Sequence, residues 1–402
     1  MLGPEAAWEL IAGRVAALGA EICPRREALG RILAEDLLAT TEVPPADVSA
    51  MDGYALAGEL AAGSRLPVFG TVAAGDRPGA VLAAGTALRI WTGAPMPAGA
   101  DRVVPVESTG EIAGPPPAVE IRAPVAAGAH IRRRGEILRR GEPLLSRGTR
   151  LGPAALALLA SQGLAAVAIG RRPRLALLAT GDEVVPPERE PAPGQLRDSH
   201  TDYLLAAARR LDLAATALGI ARDDPGELVA TIAAALDAHD VVLVCGGVSM
   251  GGRDHTETAL ARLGAEIVFD GVAVQPGKPL VFATRGERLL FGLPGNPASV
   301  MVSFRLFVRP ALERLAGADA RFWGDARAVE LAAPLAGGKG RDRFVPARRR
   351  GLVGGGRELV EPLGVRGSHD LATFGLADRL LRVPPGAPAR EAGELAEAID
   401  WE

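Results

Sequence analysis

Residues 241–256, VVLVCGGVSMGGRDHT, combine residue types suited to binding an oxyanion. Val241–Cys245 is a short apolar run typical of a strand buried on both faces, and a glycine-rich turn precedes a helical pattern from about Asp254. Such a turn would place unpaired backbone N–H groups of Gly246, Gly247 and Ser249 around a phosphate, to which Asp254 could bridge a Mg²⁺ ion. A plain strand-to-helix turn with Asp254 as its cap explains these residues equally well.

A lysine supplies the second chemical signal. Of the 45 basic residues only two are lysines, Lys278 and Lys339, which leaves 43 arginines. Where arginine is the usual cation, a retained lysine indicates a need for a compact charge with rotatable donors, although chance explains a single residue too. Lys278 lies in the tight turn Pro-Gly-Lys-Pro at residues 276–279, next to Gly277.

Composition excludes several classes of protein. A chain of 402 residues can form several domains, and a net charge of −3 argues against a broad nucleic-acid-binding surface. Cys23 and Cys245 provide neither a disulfide framework nor a metal-ligand cluster, which is consistent with the cytoplasm. The N-terminus has no basic segment typical of a signal peptide, and no apolar run is long enough to span a membrane.

In chain order, the first predicted elements are amphipathic helices at 4–18 and 25–39. An irregular loop at 43–54 carries Asp47 and Asp52, and residues 57–137 have the short Val and Ile runs and frequent Gly and Pro of a β domain. Within it, Thr92 heads a polar turn. Residues 138–170 return to helical and mixed texture, so the β module looks inserted.

From about residue 174 strands and helices alternate, which predicts a doubly wound parallel sheet. The predicted strands are 175–179, 214–220, 241–245, 266–274, 280–283 and 288–292, and the predicted helices are 199–212, 224–238, about 254–263 and 296–315. Residues 320–402 have the texture of a small β-barrel or sandwich.

In open α/β sheets, ligands bind at the carboxyl ends of the strands. The residues predicted at that rim include three acidic groups, a lysine and two glycine-rich loops: 180–183, Asp223, 246–254, 276–278 and 294–296. Thr180 and Ser249 are candidate phosphate donors, with turn capping an equal alternative. Because these motifs converge on one face, we expect a ligand site there.

Taken in order, the motifs resemble one known family. They are PPAD and SAMDGYA at 44–55, WTGAPMP at 91–97, RRRGE at 132–136, TGDE at 180–183, RDDP at 222–225, GGVS at 246–249, PGKP at 276–279, GLPGNP at 292–297 and GSH at 367–369. This combination resembles the molybdopterin molybdenumtransferase family, to which the C-terminal half of gephyrin and its plant counterparts are related. The similarity covers nearly the whole chain.

The resemblance implies four domains in an elongated, cytoplasmic homodimer. They are a helical linker domain (1–41 and 138–170), an inserted β domain (42–137), a molybdopterin-binding α/β domain (171–318) and a C-terminal β-barrel (319–402). The implied reaction is molybdate-dependent, Mg²⁺-assisted hydrolysis of adenylylated molybdopterin, giving molybdenum cofactor and AMP. Molybdopterin synthase and molybdopterin adenylyltransferase are the implied pathway partners, with no nucleic acid and no membrane.

The resemblance also implies roles for individual residues. Asp52 and Thr92 would be the β-domain contribution to the active site of the other subunit. Glu183, Asp223 and Asp254 would hold the metal and orient the phosphoanhydride, and Lys278 would contact molybdate. The remaining implied substrate contacts are Thr180, Gly246, Gly247, Ser249, Gly277, Pro294, Gly295, Asn296, Ser299, Arg341 and Ser368.

The chain departs from the family pattern at Ile137, Gly271 and Gln275, where family members can carry charged residues. These losses leave two alternatives to the transferase open. One is a non-catalytic molybdopterin-binding or scaffold paralogue, and the other is a molybdopterin adenylyltransferase, which resembles the α/β domain alone. The retained acids and Lys278 favour an enzyme, and the additional β domains favour metal insertion.

Overall fold

A computed structural model describes residues 1–77, 79, 81–247 and 255–401. The chain forms two compact units. The first comprises residues 1–34, 148–152 and 166–402, and the second comprises residues 35–147 and 153–165. The four-domain division expected from the resemblance stays a prediction.

The helical segments of the described residues include α-helices and a few shorter turns. The α-helices are α1 (Pro4–Ala12), α2 (Pro153–Ser161), α3 (His200–Arg210), α4 (Pro225–Ala238), α5 (His255–Arg262), α6 (Pro297–Ser303), α7 (Arg309–Leu315) and α8 (Leu371–Gly375). The turns are the 3-10 segments Arg25–Glu27, Val106–Ser108 and Gly354–Gly356 and the π-helical segment Phe304–Val308, which joins α6 to α7.

The strands are short, as the frequent glycines and prolines predict. They are β1 (Ala20–Pro24), β2 (Leu37–Leu38), β3 (Val48–Ser49), β4 (Gly53–Leu56), β5 (Arg65–Val72), β6 (Ala87–Ile90), β7 (Arg102–Pro105), β8 (Thr109–Ile112), β9 (Ala118–Ile121), β10 (Ile131–Arg132), β11 (Pro143–Leu145), β12 (Ala166–Gly170), β13 (Leu175–Thr180), β14 (Val184–Val185), β15 (Leu196–Arg197), β16 (Ala215–Ala221), β17 (Val241–Cys245), β18 (Glu266–Phe269), β19 (Val274–Gln275), β20 (Val281–Arg285), β21 (Arg288–Leu293), β22 (Arg327–Leu331), β23 (Asp342–Val353), β24 (Arg357–Pro362), β25 (Arg379–Val383) and β26 (Leu395–Asp400).

The first unit contains an α/β sheet with strand order β16-β13-β17-β21-β20-β18. Alternate residues of its central strands pack on opposite faces: Leu175 and Leu177 join one apolar core with α3 residue Leu204, and Ala176 and Leu178 join another with α4. Helices therefore cover both faces, as a doubly wound sheet requires. Helix α4 begins as predicted, because Asp224 caps it by accepting a hydrogen bond from the Glu227 N–H at 2.8 Å.

The expectation of a wholly parallel sheet is wrong at one strand. β20 runs antiparallel to both β21 and β18, while β16, β13, β17 and β21 are mutually parallel. Only Gly286 and Glu287 connect β20 to β21, and a two-residue connection can join antiparallel neighbours but cannot cross over. Because β20 is reversed, its first residues lie at the same edge as the carboxyl end of β21, with Val281 opposite Gly292.

The same unit contains the predicted C-terminal β-barrel. Its strands follow the order β23-β24-β22-β26-β25, and the pairing of β25 with β23 closes the ring. Strand β19 adds to this sheet by pairing in parallel with β23, so that Gln275 lies opposite Arg343. Barrel residues Phe344 and Trp401 belong to the same apolar core as the α/β strands.

The predicted helix at 25–39 is wrong, and the predicted helix at 4–18 ends at Ala12. After the turn Arg25–Glu27, the backbone pairs with distant residues: Gly30 and Leu33 donate N–H groups to the carbonyls of Leu151 and Thr149 at 2.8 and 2.9 Å. This part of the backbone is therefore extended, and its long-range hydrogen bonds override the locally helical spacing of apolar residues.

The second unit is a β module, as the texture of residues 57–137 predicts. Its main sheet has the order β7-β4-β6-β5-β9-β8, and two short pairs, β2–β11 and β3–β10, flank it. Among the described residues no helix is long and apolar enough to cross a membrane.

Candidate active site

The order of the α/β strands contains one topological switch point. From β13 the chain passes through α3 to β16 on one side, and then through α4 to β17 on the other side of β13. The loops after β13 and β17 thus diverge at the carboxyl ends of adjacent strands, where open α/β sheets bind ligands. These loops begin with Gly181 and Gly246, which lie in the ranges 180–183 and 246–254 expected at the rim.

A cavity of about 1280 Å³ opens at this rim, within the first unit. Thirteen of the predicted site residues line it: Thr180, Glu183, Asp223, Gly246, Gly247, Gly277, Lys278, Pro294, Gly295, Asn296, Ser299, Arg341 and Ser368. Ser249 and Asp254 lie outside the described residues, and Asp52 and Thr92 belong to the second unit. The structure therefore brings most predicted positions of the first unit together, and their roles stay predictions.

The floor of the rim is tightly packed around Thr180. The Thr180 hydroxyl donates a hydrogen bond to the carbonyl of Cys245 at 3.2 Å, which favours the turn-capping alternative for this residue. Gly246 has φ +98°, and a Cβ atom there would lie 2.8 Å from the Thr180 carbonyl oxygen. Burial raises the pKa of the Cys245 thiol, so this cysteine is an inert buried side chain, as predicted.

Acidic side chains come from the ends of β13 and β16. The Asp223 N–H donates to Oδ1 of Asp182 at 3.4 Å, which joins the two loops, and Glu183 and Asp223 line the cavity. Within the described residues, the carboxylates of Glu183 and Asp223 make no hydrogen bond or ion pair. Two free carboxylates fit Mg²⁺, which takes one or two protein carboxylates together with substrate phosphates and water. No group of three potential metal ligands occurs among the described residues, and the predicted third member, Asp254, lies outside them.

Basic side chains come from the turn before β20 and from the barrel. The Lys278 carbonyl accepts hydrogen bonds from the N–H groups of Val272 and Leu280, both at 3.0 Å, which fixes the turn that carries its side chain. Gly277 in this turn has φ +111°, a conformation that side chains rarely adopt. Arg341 lies just before β23 and reaches the Val274 carbonyl at 3.5 Å.

The barrel also contacts the start of helix α6. The Ser368 carbonyl accepts a hydrogen bond from the Ala298 N–H at 3.1 Å. Asn296 occupies the capping position of α6, but its side chain makes no capping hydrogen bond. Its amide is therefore available to a ligand in the cavity.

The residues that line the cavity and that sequence reasoning missed include Asp198, His200 and Arg343. Asp198 accepts hydrogen bonds from the N–H groups of His200 and Thr201 at 2.9 and 3.1 Å, and the Asp-Ser pair before α3 was a detectable capping signal. Burial lowers the pKa of His200, while the nearby charge of Asp198 opposes that change. For Arg343 the sequence contains no comparable signal, since only the strand register brings it to the cavity.

In the second unit, Asp52 and Thr92 are in direct contact. Oδ1 of Asp52 accepts hydrogen bonds from the N–H and the hydroxyl of Thr92, each 2.7 Å long. Asp47 accepts hydrogen bonds from Arg133 and Arg134 at 2.7 and 2.8 Å, so part of the basic cluster is paired within the unit.

Comparison with known families matches three regions of the chain. They are the "MoeA N-terminal region (domain I and II)" over residues 2–163, the "probable molybdopterin binding domain" over residues 176–314 and the "MoeA C-terminal region (domain IV)" over residues 328–401.

Individual relatives agree with these matches. The molybdopterin molybdenumtransferase of Synechococcus elongatus is 41% identical over 78% of this chain and 80% of its own length. Molybdopterin molybdenumtransferase 2 of Mycobacterium tuberculosis is 34% identical over 94% of both chains. A crystal structure of a molybdopterin biosynthesis MoeA protein from Pyrococcus horikoshii is 32% identical, with a TM-score of 0.80 over 100% of this chain and 99% of that one.

The fold and these matches define a multidomain transferase with an α/β domain and a β-barrel. The chain belongs to the molybdopterin molybdenumtransferase family. The family and fold class predicted from the sequence motifs are therefore confirmed.

Proposed function

We propose that this protein inserts molybdenum into molybdopterin, using molybdate and adenylylated molybdopterin as substrates and releasing AMP and molybdenum cofactor. The observation that carries the proposal is that acidic and basic side chains line one cavity from different strands. Glu183 and Asp223 lie at the ends of β13 and β16, whereas Lys278 and Arg341 lie next to β19 and β23. A reaction between a phosphoanhydride and an oxyanion needs both kinds of group, the acidic ones to hold a metal ion and the basic ones to bind the oxyanion.

Cleavage of a phosphoanhydride depends on positioning and on neutralising charge more than on a covalent nucleophile. The acidic side of the cavity suits a divalent metal, and the basic side suits a tetrahedral dianion such as molybdate. Lys278 and Arg341 can donate to that dianion, and Ser299 and Ser368 also line the cavity. The buried Cys245 need not take part, because the dithiolene sulfurs of the substrate can ligate molybdenum.

Glu183 and Asp223, together with Asp254, would hold Mg²⁺, which would neutralise charge on the phosphoanhydride oxygens when bound. Asp52 and Thr92 would contact the substrate as part of a homodimer. In this proposal the substrate comes from a molybdopterin adenylyltransferase that acts on the product of molybdopterin synthase, in the cytoplasm.

The test is AMP release from adenylylated molybdopterin, measured with Mg²⁺ in the presence and absence of molybdate. We expect release to require molybdate and to fall in Lys278→Ala and Asp254→Ala. Tight substrate binding without molybdate-dependent release would contradict the proposal and favour a binding-only relative. Lys339→Ala is the matched control, because Lys339 is the chain's other lysine and is exposed.

A further inference from the structure

Arg343 is a half-buried cation for which the described residues offer no carboxylate partner. Its Nη2 donates to the carbonyl of Ala336, its Nε is buried without a hydrogen-bond partner, and Nη1 makes no hydrogen bond in the described part of the chain. A charged group removed from water is costly unless another charge or hydrogen bonds compensate it. Within the described residues the charge of this guanidinium is therefore only partly compensated.

Four other poorly exposed arginines of this chain each form an ion pair with a carboxylate at 4 Å or less: Arg31 with Glu21, Arg102 with Asp101, Arg379 with Glu358 and Arg382 with Asp342. Arg305 has no such pair within the described residues, but its Nε donates to the carbonyl of Asp400 at 2.9 Å, whereas Nε of Arg343 has no hydrogen-bond partner. Arg382 and Arg343 are close in the sheet, because Arg382 lies opposite Phe344, the residue after Arg343, in the pairing of β25 with β23. Arg382 has a carboxylate partner and Arg343 has none within the described residues. Because Arg343 has no carboxylate partner within the described residues and lines the cavity, an anion bound in the cavity could compensate its charge.

The position of Arg343 identifies where that anion would bind. Arg341 and Arg343 both line the cavity, while Asp342 between them is buried and binds Arg382. In the parallel pairing of β19 with β23, Arg343 lies opposite Gln275, and Lys278 follows Gln275 by three residues. Three cations from two adjacent chain segments thus line the cavity, and none has an ion pair within the described residues.

We propose that Arg343 is an additional substrate-binding residue, whose guanidinium donates to a tetrahedral oxyanion held between it, Arg341 and Lys278. The oxyanion is either free molybdate or the phosphate of the nucleotide, since both are tetrahedral anions that suit a guanidinium fork. The inference deepens the proposed function, but it concerns binding and can be tested without turnover.

The experiment measures the dissociation constants of sodium molybdate and of AMP separately, by calorimetry on the full-length protein. In Arg343→Gln we expect at least one of them to rise about tenfold or more, because hydrogen bonds to charged groups are lost. A change for molybdate alone assigns the free oxoanion, and a change for AMP assigns the nucleotide phosphate. If both constants stay within twofold of the wild-type values, the inference is wrong.

Two further variants separate charge from folding. Arg348→Gln removes the same charge from the same strand, but Arg348 is exposed and does not line the cavity, so both constants should be unchanged. In the double variant Gln275→Lys/Arg343→Gln, a lysine opposite position 343 should restore much of the lost affinity. A folded double variant that binds no better than Arg343→Gln would overturn the inference.

If AMP release proves independent of molybdate while Arg343→Gln still weakens anion binding, the proposed function fails and this inference stands.

Discussion

Oδ1 of Asp52 accepts both the backbone N–H and the hydroxyl of Thr92, and each hydrogen bond is 2.7 Å long. The two residues are 40 positions apart and lie in the loops before β4 and after β6, strands that pair with each other in the β module. The hydroxyl and N–H of Thr92 lower the pKa of Asp52, so the carboxylate is ionised at neutral pH. Oδ2 makes no hydrogen bond within the described residues and is available to a ligand.

Replacing Thr92 by Val should raise the pKa of Asp52, because the hydroxyl donor is lost and the backbone donor is kept. A carboxyl-carbon NMR titration of Asp52 measures this change. Thr92→Ser retains the hydroxyl and should leave the pKa close to the wild-type value. An Asp52 pKa that is the same in Thr92→Val and the wild type would show that the hydroxyl does not stabilise the carboxylate.

Lys278→Ala should reduce molybdate-dependent AMP release by about 100-fold, the loss typical when one donor to a developing or bound anion is removed. Lys278→Arg should recover only part of the rate, since a planar fork cannot take the place of a compact ammonium. Steady-state kinetics over a range of molybdate concentrations separate binding from rate. Full activity in Lys278→Ala would show that the Lys278 side chain has no role in the reaction.

Glu183→Gln and Asp223→Asn should each increase the Mg²⁺ concentration needed for half-maximal AMP release. Both variants keep the side-chain size and remove one negative charge from the acidic side of the cavity. Asp237→Asn is a suitable control, because Asp237 is exposed near the end of α4 and does not line the cavity. A Mg²⁺ requirement unchanged in both site variants would contradict the metal assignment.

Gly246→Ala should destabilise the protein by about 1–3 kcal/mol, because a side chain is strained at φ +98° and its Cβ would lie 2.8 Å from the Thr180 carbonyl oxygen. Gly351→Ala should have a much smaller effect, since a Cβ at Gly351 meets nothing within 4 Å. Denaturant unfolding of the two variants measures the difference. Equal stability of both would contradict the tight packing at the rim.

Asp240→Asn should cost about 3 kcal/mol of unfolding free energy, because it leaves the arginines around a buried carboxylate without their partner. Asp240 is 1% exposed and lies within 4 Å of Arg171, Arg174 and Arg288. Burial would raise the pKa of Asp240, but hydrogen bonds from Arg174 and the nearby arginine charges lower it below its usual value.

Because the folded-state pKa is lowered, the stabilisation by Asp240 is present above the unfolded pKa of about 4 and is lost as the pH falls through the folded value. Wild-type stability should therefore fall more steeply than that of Asp240→Asn below about pH 4. Denaturant unfolding at a series of acidic pH values tests this. Parallel stability curves for the two proteins would contradict the linkage.

Local patterns in the sequence predicted the α/β alternation and the residues at its rim. The capping of α4 by Asp224 and the buried run of β17 are examples. For residues 320–402 the local patterns left a barrel and a sandwich open, and only the family resemblance implied the barrel. The predicted helix at 25–39 failed because Gly30 and Leu33 pair with residues more than 100 positions away, and nothing in the segment itself specifies those partners.

The same reason explains which site residues were found. Lys278, Glu183 and Asp223 lie in short motifs with unusual composition, so their chemistry could be inferred from their neighbours in sequence. Arg343 lies in an arginine-rich strand and reaches the cavity only through the pairing of β19 with β23. A residue defined by strand register between distant segments has no signature in a single sequence.

The turn at residues 276–279 connects strands of two different sheets. Gln275 is the last residue of β19, which is a strand of the barrel sheet, and Val281 begins β20, which is a strand of the α/β sheet. Lys278 therefore lies in a short connection between two separate hydrogen-bonded sheets. The position of Lys278 therefore depends on both sheets, because the strand on each side of its turn is hydrogen-bonded into a different one.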